Sequence, residues 1–344
     1  MSRRALIVAP SWVGDTIIAL PMVALLRDRH PELELDLLAP PWTLALGARM
    51  PGISETLESP FRHGELRLAA RRALGRMLAG RGYERCWVLP NSLKSALVPW
   101  LAGIPVRTGY VGEWRHWLLN DTRRLDVESM PQLAQRFAAL ALPAGAALPA
   151  PLPAPRLLVD EAARSRTLLR LGLAESGGAR PVAVLCPGAE YGPAKRWPPS
   201  HFAELADRLA ESGYNVWLLG SGKDADTARE IVSLAARPPV DLCGRTSLGE
   251  AIDLMSLARL VVSNDSGLMH VAAALDRPLV ALYGSSSPAY TPPMSERALV
   301  LQAGVPCSPC FRRECPLGHF DCMRRLTPAR VVAALSDNAI TPRP

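Results

Sequence analysis

Two short segments carry the residue types that could do chemistry. The first is Pro10-Ser11-Trp12-Val13-Gly14-Asp15, which follows the apolar run 5–9. The second is Asn264-Asp265-Ser266-Gly267-Leu268-Met269-His270, which follows the run 260–263. Each opens a helix-like pattern directly after a strand-like one, the corner where open α/β sheets bind ligands. Gly14 lets the backbone turn sharply, and the Asp15 carboxylate beside it can take a proton from an incoming hydroxyl. The plainer reading is that Asp15 only favours the first turn of its helix. Asp265, Ser266 and Gly267 fit an N-cap and first turn, whose open N–H groups suit phosphate, and His270 lies one turn further. The alternative there is an ordinary capped helix.

Three other stretches are candidates. Residues 186–198 read Cys-Pro-Gly-Ala-Glu-Tyr-Gly-Pro-Ala-Lys-Arg-Trp-Pro. Lys195 or Arg196 can neutralise a phosphate, and Tyr191 or Trp197 can stack on a base or sugar; a rigid surface loop is the competing reading. Gly220-Ser221-Gly222-Lys223-Asp224 also ends a strand, and a carboxylate so placed often reads ribose hydroxyls. It lacks the spacing of a Walker phosphate loop, and no G-x-G-x-x-G follows the first strand, which argues against a dinucleotide oxidoreductase. Finally, Cys307, Cys310, Cys315 and Cys322, with His319 among them, have metal-ligand character without standard zinc-finger or ferredoxin spacing. A structural zinc and free thiols both stay open. Cys86, Cys186 and Cys243 read as small core residues.

These residues need a frame. Short β-rich runs alternate with helical ones, the mark of parallel sheets with helical crossovers. Strands are expected at 5–9, 33–38 and 85–89, with helices at 15–30 (irregular at Pro21), 64–80, 92–101 and 132–140. Residues 143–156 hold repeated proline and read as an extended connector. Alternation then restarts: strands at 181–186, 215–220, 260–263 and 279–283, and helices at 200–212, 224–235, 248–257, 267–275 and 327–335. The expected organisation is two Rossmann-like doubly wound domains, 1–150 and 151–344, facing across a cleft, with the terminal helix packing back on the first.

Composition agrees. The 344 residues are 49% hydrophobic and 21% charged. That is enough apolar content for two full cores. No run reaches the roughly 18 apolar residues that span a bilayer, and the start reads as a first strand rather than a signal peptide. A cytoplasmic protein with mostly reduced cysteines is expected. The net charge is +7, and the first 155 residues hold 18 Lys and Arg against 13 Asp and Glu. That excess is either a solubility charge or a surface for a partner rich in phosphate or carboxylate. Asn91, Lys94, Arg107, Arg115, His116, Arg123 and Arg124, with Trp114 and Trp117, form the basic set. It suits an anionic glycolipid acceptor or a merely solvated face. Basic runs and RNA-type aromatic motifs are lacking, which disfavours nucleic acid.

Taken together, these segments resemble the bacterial lipopolysaccharide heptosyltransferases, in particular heptosyltransferase II. The likeness runs nearly full length through residues 10–15, 89–97, 103–109, 186–198 and 264–274. It implies a GT-B fold, with the acceptor held mainly by the first domain and the nucleotide-sugar by the second. The implied reaction moves L-glycero-D-manno-heptose from ADP-heptose to the first heptose of the inner core, with inversion. By resemblance Asp15 is the general base and Lys195 the phosphate-binding lysine. Gly14, Asp265, Ser266, Gly267 and His270 line the donor site, with Thr246 near adenine and Asp224 at the ribose. The donor is a substrate, and no cofactor is required for this chemistry; Mg²⁺ assistance stays open. The acceptor's location implies peripheral contact with the cytoplasmic face of the inner membrane. Other expectations are a heptosyltransferase that adds the first heptose to Kdo, a nucleotide-sugar epimerase, and a non-catalytic module that binds an anionic ligand.

Overall fold

The computed structural model describes residues 3–62, 64–173 and 180–337. It divides into two compact units, Met1–Arg156 and Leu157–Pro344. Residues 143–160, which include the proline-rich stretch, carry neither helix nor strand.

The first unit runs β1 (Arg3–Val8), α1 (Val13–Ile18), α2 (Leu20–Arg29), β2 (Leu33–Ala39), α3 (Leu44–Gly47), β3 (Ile53–Glu58), α4 (Leu68–Ala79), β4 (Tyr83–Val88), α5 (Leu93–Leu101), β5 (Val106–Tyr110), β6 (Asp121–Arg123) and α6 (Leu133–Leu140). Its six strands lie in the order β3-β2-β1-β4-β5-β6, all parallel. The helix expected over 15–30 is two helices, broken at Ala19. Pro21 stands in the first turn of the second, where its missing N–H costs nothing. Strands β3 and β6 carry too many polar residues to read as strands from sequence; they lie at the sheet's two edges, where one side needs no strand partner.

The second unit runs α7 (Glu161–Leu171), β7 (Val182–Cys186), α8 (Pro199–Glu211), β8 (Asn215–Leu218), α9 (Ala225–Leu234), β9 (Val240–Asp241), α10 (Leu248–Met255), β10 (Ala258–Asn264), α11 (Gly267–Ala274), β11 (Leu279–Tyr283), β12 (Ala298–Gln302), α12 (Asp321–Arg324) and α13 (Pro328–Asp337). Its sheet order is β12-β11-β10-β7-β8-β9, again all parallel. Counted within each unit, both sheets have the strand order 3-2-1-4-5-6 of the Rossmann fold.

That order reverses direction between β1 and β4 in one unit, and between β7 and β10 in the other. Ligands of open α/β sheets bind outside the carboxyl ends of strands at such a switch point. Asp15 and Asn91 follow the first pair; Lys195 and Asp265 follow the second.

Buried strands make the switch points rigid. All five residues of β7 are buried, as are all five of β11, and both read as the continuous apolar runs of a parallel sheet covered on two faces. Helix α8 covers one face with Phe202, Leu205, Ala206 and Leu209 at helical spacing. Helix α13 adds Val331 and Leu335 to that same core, so its apolar face is spent inside the second unit.

In the first unit α4 and α5 approach closely through Gly75. A Cβ there would stand 2.7 Å from the Leu101 Cβ and 3.1 Å from the Leu101 carbonyl carbon. Gly75→Ala therefore forces the helices apart and should destabilise the protein by about 1–3 kcal/mol, read as a lower urea midpoint. An unchanged midpoint would mean the helices yield without cost.

Candidate active site

Local chemistry fixes the Asp15 corner first. The chain leaves β1 through Pro10, and the Thr16 hydroxyl donates back to the Trp12 carbonyl at 2.9 Å. The Trp42 indole N–H donates to the Ser11 carbonyl at 2.7 Å. These bonds hold the half-buried Asp15 in the first turn of α1, beside a buried Gly14.

The acceptor candidates separate into two groups. Arg115 is fully buried. Its guanidinium donates to the Tyr110 carbonyl (2.6 and 2.9 Å), the Pro90 carbonyl and the Asn91 side-chain oxygen (3.0 Å). Burial pulls its pKa down to about 10, against a smaller upward pull from Glu113. Arg107 donates to the Leu118 carbonyl at 2.6 Å and to the Ile104 carbonyl. Both arginines thus tie backbone together, a use of the guanidinium other than the ligand contact expected of them. The physical reason is that five planar donors can satisfy several loop carbonyls at once. Asn91 and His116 are exposed, and half-buried Lys94 donates to the Gly64 carbonyl at 2.9 Å.

The second unit assembles a tighter set. Asn264 ends β10, accepts from the Trp197 N–H at 3.0 Å, and donates to the Pro187 carbonyl at 2.7 Å. This one side chain clips residues 187–197 onto the end of β10. The clip brings the Lys195 ammonium to 2.6 Å from the Asp265 carboxylate, with Asp265 only 4% exposed and Lys195 17%. Ser286, after β11, donates its hydroxyl to the same carboxylate oxygen. The Lys195 ammonium also stands 5.2 Å from the centre of the Tyr191 ring, a cation–π distance. Ser266 is the N-cap of α11 by backbone position, but its side chain makes no capping bond. The first N–H groups of that eight-residue helix therefore lack a side-chain cap, as an anion site requires.

His270 is 5% exposed and lies behind this pair. Burial drives its pKa down to about 4, with a smaller upward pull from Asp265 and a downward one from Lys195. It is a neutral imidazole at neutral pH.

Asp224, expected at the ribose, is engaged within its own loop. It is buried, and one of its oxygens accepts from the Ser221 N–H at 2.9 Å and the Ser221 hydroxyl at 2.8 Å. A Cβ on Gly188 would lie 2.5–2.6 Å from the carboxylate. The carboxylate thus closes a turn under the Gly188 backbone. Thr246 is half-buried, one residue before the Ser247 cap of α10.

The four cysteines converge. Cys307, Cys310, Cys315 and Cys322 line one small cavity with His319, and Ala194 and Ser285 lie on its wall. Backbone N–H groups around Cys315, led by Phe320, hold its pKa down, while burial first and the other three thiols second raise Cys322 to about 11. Among the described residues, no group of three or more His, Cys, Asp or Glu stands at metal-binding spacing.

Sequence reasoning missed how this segment is attached. The Arg313 carbonyl accepts from the Ala194 N–H (3.0 Å), Phe311 N–H donates to the Ser285 carbonyl (2.7 Å), and Tyr191 donates its hydroxyl to the Phe311 carbonyl (2.8 Å). The cysteine segment therefore braces both the Lys195 loop and the loop that carries Ser286. Tyr191 had an aromatic signal in the sequence; Ser286, in a plain Gly-Ser-Ser-Ser run after a strand, had none.

The structure is similar to that of Escherichia coli ADP-heptose lipopolysaccharide heptosyltransferase II, with a TM-score of 0.87 and 42% identity over 98% of each chain. The fold is accordingly that of the GT-B glycosyltransferases. The profile of glycosyltransferase family 9 (heptosyltransferase) matches residues 71–321. Among curated proteins, lipopolysaccharide heptosyltransferase 2 of E. coli K12 is 43% identical over 97% of both chains. Lipooligosaccharide heptosyltransferase 2 of Haemophilus ducreyi is 40% identical over 97% of this chain and 98% of its own. The chain belongs to glycosyltransferase family 9, the heptosyltransferases. That membership overturns the epimerase and non-catalytic alternatives.

The neutral His270 has a measurable consequence. Its folded pKa lies below the ordinary 6.5, so the unfolded chain takes up its proton first as pH falls. Its contribution is intact above pH 6.5 and is lost progressively down to about pH 4, by about 3 kcal/mol. The difference in unfolding free energy between the wild type and His270→Gln should shrink across that window. A pH-independent difference would mean that folding leaves the imidazole pKa unshifted.

Proposed function

We propose that the protein transfers a heptose from ADP-heptose to the first heptose of the lipopolysaccharide inner core, with inversion at the anomeric carbon. The single observation that carries the site assignment is the Lys195–Asp265 pair beside the helix start at Ser266–Gly267, at the second sheet's switch point. Similarity to heptosyltransferase 2 proteins over nearly the full length supports the choice of donor and acceptor.

The site chemistry follows from the positions. Departure of ADP builds negative charge on the diphosphate. The Lys195 ammonium and the uncapped N–H groups of α11 supply positive partners for it, where a well-placed donor is worth a few kcal/mol. Without donor, Asp265 and Tyr191 hold the ammonium in place, so little reorganisation is needed when phosphate arrives. Ser286 keeps one bond to Asp265 when Lys195 turns to phosphate. In the first unit Asp15 takes the proton of the attacking acceptor hydroxyl, which completes the displacement. His270, being neutral, adds no charge to compete for the diphosphate and fixes the far side of the pocket. Gly14 allows the close approach, and Thr246 and Asp224 flank the adenosine end, Asp224 through the turn it closes. Asn91, Lys94 and His116 contribute to the acceptor side, with Arg115 and Arg107 holding their loops.

We place the enzyme at the cytoplasmic face of the inner membrane, in peripheral contact, because its acceptor is lipid-linked. No helix among the described residues is long and apolar enough to cross a membrane. The four-cysteine cavity is soft-ligand chemistry, suited to a structural zinc that would hold the brace closed. Its side chains as they stand do not form a closed ligand set.

Three measurements test this reading. Asp15→Asn should fold and bind ADP-heptose yet lose at least about 10²-fold in kcat; near-normal turnover would remove Asp15 from the role. Lys195→Ala should weaken ADP binding by about 10²-fold with acceptor binding little changed. If the cysteines hold a metal, elemental analysis of the purified protein should find close to one equivalent of zinc or iron; none would assign the cysteines as thiols.

A further inference from the structure

The turn after β5 inverts the usual placement of side chains. Arg115 is fully buried, while its neighbours Trp114 and Trp117 are 81% and 56% exposed. A buried cation between two solvent-facing indoles is the reverse of ordinary partitioning. Backbone strain maintains it: Trp114 has φ 56° and Glu113 φ 45°. Both lie in the left-handed region that bulky side chains avoid. The carbonyl bonds of Arg115 fix this turn to Pro90 and Tyr110, so the indoles are held outward by a rigid base.

The patch extends beyond the turn. Trp100, at the end of α5 and 42% exposed, packs edge-on against Trp117 with ring centres 5.9 Å apart. Helix α4 lies against α5 through Gly75 and Leu101, next to Trp100, and turns Arg72 and Arg76 to solvent.

Charge is concentrated in the same stretch. Residues 61–124 hold 12 Lys and Arg against 4 Asp and Glu, a net of +8, while the whole chain carries +7. The rest of the protein is therefore close to neutral. The positive excess is a local feature of the segment that exposes three tryptophans.

We infer that the Trp100–Trp114–Trp117 face, with the basic helix α4 beside it, docks on the surface of a bilayer that carries anionic phosphate headgroups. Indole rings settle at the boundary between headgroups and acyl chains, and Lys and Arg near an anionic leaflet add long-range attraction. Buried apolar area and electrostatic attraction to anionic lipid add in interfacial binding. The inference rests on the lipid-linked acceptor proposed above and names the surface that meets the lipid.

The test uses the full chain and two vesicle types without any acceptor: phosphatidylethanolamine with phosphatidylglycerol, and neutral phosphatidylcholine. Co-sedimentation with the anionic vesicles should be at least fivefold stronger than with the neutral ones. It should fall severalfold at high salt and be accompanied by a blue shift of tryptophan emission. Trp114→Ala and the separate Arg72→Glu/Arg76→Glu variant should each lose most of that binding. The Arg72→Glu/Arg76→Glu variant should keep wild-type turnover on a deacylated, water-soluble core acceptor. Equal binding to both vesicle types, or to neither, overturns the inference. So does the Arg72→Glu/Arg76→Glu variant losing turnover on the deacylated acceptor, which would make the face a saccharide site. Vesicle binding by a wild-type chain that transfers no heptose would leave the surface standing and sink the transferase reading instead.

Discussion

The ion pair between Lys195 and Asp265 is the constraint on which its surroundings at the second sheet's switch point depend. The ammonium is 17% exposed and the carboxylate 4%. Each is tolerable there only in the other's presence, because a lone buried charge costs several kcal/mol. Everything around the pair serves to keep it in register. Asn264 clips the lysine loop to the strand end, Ser286 satisfies the carboxylate from the next strand, and Tyr191 offers its ring face to the ammonium. The result is a cation held in readiness at a helix start. It does not have to be ordered out of solvent when a phosphate arrives, which is the physical content of preorganisation.

The pair also explains two neighbouring features that look unrelated to it. His270 has to be neutral, since an imidazolium behind Lys195 would set two cations in one dry pocket; burial accomplishes this. The cysteine segment grips the lysine loop through the Ala194 N–H and the Tyr191 hydroxyl, and the Ser286 loop at the Ser285 carbonyl. A segment that reads as a separate chemical module in fact packs on the loops that carry Lys195 and Ser286.

In the first unit, arginine does structural work that charge counting does not reveal. Arg115 and Arg107 lie in the basic set, yet both spend their donors on carbonyls. Arg71 follows the same rule: it donates to the carbonyls of Glu65, Leu66 and Lys94 and lies 4.0 Å over the Phe61 ring. Removing such side chains from the tally leaves the outward cations of α4 and the exposed indoles as the feature of this surface.

The sequence by itself determined the α/β class, the restart of the strand pattern after the proline-rich stretch, and the two strand–loop–helix corners. Periodicity, glycine and proline act locally, so their signals survive in one dimension. It also pointed to Asp15, Lys195 and the start of α11, since strand ends preceding helices are where such folds bind ligands. How those side chains are engaged followed from folding. Whether an arginine faces a ligand or a carbonyl, and whether Ser286 reaches Asp265, are settled by residues far apart in the chain coming together. Whether Asp224 is offered or consumed by a turn depends on how the backbone closes around it. Burial and partner geometry arise only on folding, and with them the charge state of His270 and the partnership of Lys195.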